Sequence, residues 1–193
     1  MRLYAGLTVG VFAVSFAAIF IRLADEAPPL TIASYRLGIG ALVMILFAGL
    51  GWVKNRRPVF QGVNWNDLPL LGFSALCLSI HFWTWIVSLN HTSVASSVVL
   101  VTTNPLIVAV ASWLLWSESV HRATMFGVVL GLVGGAILAV GDFASGGREL
   151  FGDAMAFLGA VCVVGYVMTG RKLRRRMPAL SYNLLVYSGT ATL

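Results

Sequence analysis

Helix-spaced polar side chains inside apolar sequence carry what chemistry this chain could do. Ser74, Cys77, His81, Thr84 and Ser88 recur at steps of 3, 4, 3 and 4 and so share one helix face. Trp85 lies one turn beyond His81. Such a stripe cannot face lipid cheaply, so it faces other helices or a wet cavity. Interhelical hydrogen bonding, worth ~0.6 kcal/mol per contact, accounts for the small hydroxyls. His81 titrates near neutral pH inside a span, about 13 Å from the helix end, and suits a cavity wall or a proton-coupling step. Downstream stand Ser96, Ser97, Thr102, Thr103, Asn104 and Pro105. Pro105 has no N–H for the carbonyl of Val101, so that oxygen is left free. Asn104 falls about 18 Å from the helix end, near the depth of His81. A broken helix with free polar groups at mid-membrane is one way to hold a solute; a packing kink satisfied by Thr102 or Thr103 is the plainer alternative. Arg36 is a charge about 9 Å inside another span, suited to gating, to substrate contact or to snorkelling outward.

The segments that carry these groups follow from charge and length. Residues 68–117, between Asp67 and Glu118, contain no Lys, Arg, Asp or Glu. As one helix they would reach about 75 Å, against a hydrocarbon core of roughly 30 Å. The stretch must turn once, at Asn90-His91-Thr92, giving a hairpin over 68–90 and 92–117. Seven apolar segments appear in all: 3–22, 30–52, 68–90, 92–117, 122–141, 154–170 and 180 onward. With 59% apolar and 10% charged residues, the composition is that of an all-α polytopic integral membrane protein. The apolar run from Leu3 to Ile21 is long for a signal peptide and reads as a spanning helix.

Loop charge sets the orientation. Arg2, Lys54, Arg56, Arg57, Arg122, Arg171, Lys172, Arg174, Arg175 and Arg176 fall on one side if the helices alternate. Only Arg22 and Arg148 fall on the other, beside Asp25, Glu26, Asp142, Glu149 and Asp153. The positive-inside rule therefore expects a cytoplasmic N-terminus. The basic run 171–176 reads as an anchor at anionic lipid, with no nucleic acid called for. Gly127, Gly131 and Gly135, with Gly134, suggest a close-packing face. Glu118 and Arg122 have the spacing of a surface pair. Cys77 and Cys162 read as small hydrophobes, and no metal, nucleotide or nucleophile motif is spelled. Ser74 and His81, about 10 Å apart, are too distant for a nucleophile and its base. No cofactor and no enzymatic activity are expected.

A weak internal repeat is visible. Gly6 to Ile21 is matched by Gly152 to Thr169, and Pro28-Pro29-Leu30-Thr31 by Pro178-Ala179-Leu180-Ser181. A five-helix unit repeated once is antiparallel to itself. The expected organisation is a first unit over 1–142 and the start of an inverted second unit over 143–193. The last apolar segment is too short to span, so the chain is expected to be part of a longer one.

The stretches ASYRLGIGAL (33–42) and SLNHTSVASSVVLVTTNPLIVAVASWLLWSES (88–119), with the glycine-rich fifth helix, resemble the EamA-type branch of the drug/metabolite transporter superfamily. Arg36, Thr92 to Ser97, Pro105 and Glu118 occupy the places of that family's early Arg, its turn into the fourth helix, its mid-helix Pro and its closing Glu. The resemblance implies ten helices in two inverted halves in a bacterial inner membrane. It also implies secondary transport, often export, of metabolites or drug-like compounds through a central cavity. Smaller relatives couple to protons through a Glu in the first helix. Here that helix has only Ser15 as a clearly polar residue, so that scheme does not carry over. The expected substrate-binding residues are His81, Trp85, Thr103 and Asn104. Arg36 and Glu118 are expected to be gating or structural, and Pro105 a hinge. The expected partners are a small-molecule substrate and the lipid bilayer, with a homodimer left as an open option. The alternative is a non-transporting membrane assembly or sensor protein, in which helix contacts would consume the whole polar stripe.

Overall fold

The computed structural model describes residues 2–24, 26–55, 60, 62–116, 121–144 and 148–192. They are helical almost throughout, with no strand among them. In chain order the helices are α1 (Arg2–Ser15), α2 (Ala17–Leu23), α3 (Pro29–Asn55), α4 (Leu68–Leu89), α5 (Val94–Val101), α6 (Asn104–Trp116), α7 (Arg122–Ala144), α8 (Arg148–Leu173) and α9 (Ala179–Ala191). Five spans are long and apolar enough to cross a membrane: Tyr4–Leu23, Pro29–Gly51, Trp65–Leu89, Val94–Leu114 and Arg148–Leu173. The first of these takes in α1 and α2, and the fourth takes in α5 and α6.

Local signals set the ends. Pro29 opens α3, where its missing N–H costs nothing. Ahead of α4, Asn64 and Asp67 form a reciprocal capping box around a 3₁₀ turn, Trp65–Asp67. Ser93 caps α5 by accepting the N–H of Ser96 at 3.0 Å. The hairpin turns at Asn90 to Ser93, as the polar triplet predicts. The helix beginning at Arg148 starts six residues before the apolar run expected at 154, because Glu149 and Asp153 are tolerated in its first turns.

The packing is that of a protein whose solvent is lipid. Large apolar side chains point outward, Phe12 at 67% and Leu46 at 58% exposure, while the interior mixes buried Leu71, Ile86, Leu89 and Tyr182 with small and hydroxylated residues. The longest interface lies between α4 and α8, and α9 packs on α3 and α4. Small residues permit it. Gly152, Ala156, Gly159 and Ala160 of α8 are buried, and a Cβ on Gly152 would stand 2.7 Å from the backbone nitrogen of Thr92. Backbones that close exchange dispersion contacts and hydrogen bonds unavailable from lipid tails. In α7 the glycine face is used unevenly. A Cβ on Gly131 would strike Leu106 at 2.2 Å and one on Gly135 would meet Leu100 at 3.7 Å, whereas Gly127 and Gly134 have nothing within 4 Å.

Each end of the bundle is tied. At one end Arg22 donates to the carbonyls of Leu89 and Thr92, and Thr92 Oγ1 donates to Asp153 Oδ1 at 2.8 Å. These bonds join α2, the α4–α5 turn and α8. At the other end Arg176, in the α8–α9 turn, pairs with the buried carboxylate of Asp67.

Candidate functional site: a chamber between α1, α3, α4, α5–α6 and α9

The polar stripe of α4 divides in two. Most of it is dry. Ser74 shares a hydrogen bond of 2.5 Å with the Tyr182 hydroxyl, which also donates to the Tyr166 carbonyl. Ser88 shares one of 2.6 Å with Ser97. Thr84 donates back to Ile80 and His81, and Cys77 packs against Gly165. Ser74, Thr84, Ser88 and Ser97 are fully buried. These hydroxyls hold helices together.

His81 belongs to the wet part. With Phe82 and Trp85 it borders a chamber of about 930 Å³ whose wall also includes Arg36, Thr102, Asn104, Val98 and Tyr187. His81 Nδ1 lies 2.8 Å from the carbonyl of Gly159. A carbonyl only accepts, so Nδ1 carries the hydrogen and Nε2 of the neutral ring is left as an acceptor. The imidazole lies nearly parallel to the Trp85 ring, 14° between planes at 6.2 Å. Arg36 sets its guanidinium over Phe82 and Trp85, 5.0 and 5.2 Å from the ring centroids. That geometry offsets part of the cost of a buried cation.

The break in the fourth span is satisfied by its own side chains. Thr102 Oγ1 donates to Val98 O at 2.7 Å, Thr103 Oγ1 to Leu100 O at 2.6 Å, and Asn104 Nδ2 to Val101 O at 3.2 Å. The carbonyl released by Pro105 is thus covered by Asn104 itself, and its Oδ1 remains to accept from elsewhere. The helix is interrupted at Thr102 and Thr103, between α5 and α6.

Of the residues singled out from the sequence, His81, Trp85, Asn104 and Arg36 therefore meet at one chamber. Thr103 does not join them. It lines a separate apolar pocket with Leu106, Gly131 and Phe157, because the break turns it toward α7 and away from Thr102's side. Pro105 is exposed beside the break. Glu118 lies outside the described residues. Sequence reasoning missed Phe82 and Tyr187, which no polar periodicity marks. It also missed the α1 wall of Gly6, Gly10 and Val14, although their steps of four were there to be read.

The chamber thus has glycine and aliphatic residues of α1 on one wall, with the interrupted fourth span and a half-buried Arg36 on others. The family model described as EamA-like transporter family matches residues 2–140. The chain belongs to the EamA-like transporter family. No curated protein matches the chain. Family membership makes this a multi-pass membrane protein of a group that transports small solutes. Among the described residues, no group of three His, Cys, Asp or Glu side chains converges as a metal site would.

Proposed function

We infer that the protein is a secondary active carrier, working as an exporter of small metabolites or drug-like compounds from a bacterial cytoplasm across the inner membrane. The observation that carries this is the chamber bordered by His81, Trp85, Asn104 and Arg36 in a member of this family. Its volume of about 930 Å³ suits a small organic molecule. Residues 1–142 form one five-helix unit, and 143–193 begin an inverted second one. Transport proceeds by rocking of the two units about the chamber. The interruption at Thr102–Thr103 beside Pro105 supports this motion, because α6 can pivot on α5 with the carbonyls of Val98, Leu100 and Val101 held by side chains. The basic loops, including 171–176, face the cytoplasm.

His81 and Asn104 each offer an acceptor to the solute, and Trp85 an aromatic surface. The test is an export and resistance screen of the full-length protein in a transporter-depleted host, repeated with His81→Ala and Asn104→Ala. Both variants should insert normally and lose export. Normal export in both would remove the chamber as the transport site.

A further inference from the structure

The chamber is electrically one-sided. Among the described residues Arg36 is the one charged side chain in its wall. Among the described residues of the chamber wall there is no carboxylate to pair with it. A guanidinium has five N–H donors. Its central carbon lies over the rings of Phe82 and Trp85, 5.0 and 5.2 Å from their centroids, contacts that hold the cation at the chamber wall without neutralising its charge. Trp85 is itself only 7% exposed, and its Nε1–H has no acceptor. A donor so deeply buried normally has a partner. The Trp85 ring and the Arg36 guanidinium share the corner of the chamber where α3 meets α4, and Tyr187 of α9 borders the same space.

We propose that the chamber takes a small organic monoanion, a carboxylate on an apolar body, with Arg36 as its counter-ion. This rests on the reading of the chamber as the transport site. Charge decides the sign: a cationic solute would face Arg36 with no acid to compensate, in a low-dielectric setting where like charges repel strongly. Charge also decides the magnitude, because one guanidinium balances a carboxylate but leaves a phosphate dianion with excess charge. The planar fork of Arg pairs with a carboxylate through two parallel N–H bonds. The remaining wall, with Leu7, Val11, Val14, Val98 and Val101, is apolar and suits a hydrocarbon body.

The experiment is equilibrium binding of radiolabelled 4-phenylbutyrate to the full-length protein in nanodiscs, with 4-phenylbutanol and 4-phenylbutylamine as competitors of the same shape. The carboxylate should bind at least tenfold more tightly than the alcohol or the amine. Arg36→Gln should remove that preference, acid and alcohol then binding alike, and Arg36→Lys should retain part of it. Should Arg36→Gln not fold, the preference of the unaltered protein among the three probes decides alone. Equal binding of acid and alcohol overturns the anion proposal. If Val14→Trp, which fills the chamber from α1, then still blocks both, the transport-site reading survives. Binding that ignores Val14→Trp overturns both readings, and so does no saturable binding of any probe.

Discussion

Gly152→Ala sets two effects of opposite sign against each other. By intrinsic propensity, replacing a helical glycine with alanine should stabilise α8, by up to about 1 kcal/mol. The structure predicts the reverse. The added methyl would lie 2.7 Å from both Cβ and N of Thr92 and 2.9 Å from the His91 carbonyl carbon. Carbon contacts settle at about 3.5–4.0 Å, so α8 must retreat from the α4–α5 turn by about 1 Å, and backbone atoms cannot swing aside as a side chain could. That retreat carries the Thr92–Asp153 hydrogen bond from 2.8 Å past the limit of useful geometry. Overpacking costs about 1–3 kcal/mol and the lost bond about 0.5–1.5 kcal/mol. Against the propensity gain, the net should be a destabilisation of about 1–3 kcal/mol. The assay is reversible unfolding in mixed micelles of rising dodecyl sulfate fraction, followed by far-UV circular dichroism. Gly72→Ala in α4 is the control, since a Cβ there meets nothing within 4 Å, and it should be neutral or stabilising. If Gly152→Ala proves as stable as Gly72→Ala, the close approach of α8 to the turn is wrong, and with it the α4–α8 interface.

The divided stripe can be tested by labelling. Single cysteines placed in a background lacking Cys77 and Cys162 should react with a hydrophilic maleimide at position 81 and resist it at position 74; equal reactivity would refute the division of the stripe. Ser74→Ala and Ser88→Ala should each lower stability by about 0.6 kcal/mol and leave export at the unaltered rate, whereas a loss of export would return these hydroxyls to the site. Asp67→Asn should weaken the tie to Arg176 and the capping box together, costing about 1.5–3 kcal/mol; unchanged unfolding would show that the pair contributes nothing. Asn104→Leu should uncover the Val101 carbonyl and reduce stability by about 1–3 kcal/mol, in contrast to Asn104→Ser, which keeps an acceptor-facing donor.

The sequence by itself determined the class and the segmentation. Charge-free runs longer than a bilayer is thick must be spans, and a run of fifty such residues, 68–117, must turn at its one polar interruption. Pro105 marked the broken helix for an equally local reason, the missing N–H. His81, Trp85, Asn104 and Arg36 were legible as candidates because polar groups in lipid are costly wherever they sit. Which of the polar groups meet a shared space was not legible. Ser74 and His81 have the same helical phase, yet one is sealed by Tyr182 and the other opens on the chamber. That outcome depends on what α8 and α9 bring alongside, at separations such as the 108 positions between Ser74 and Tyr182. Thr102 and Thr103 are neighbours in sequence, and the break sends them to different pockets. Periodicity records the direction of a side chain from its own helix axis. Tertiary packing alone decides whether that direction ends in a neighbour, in lipid or in a cavity.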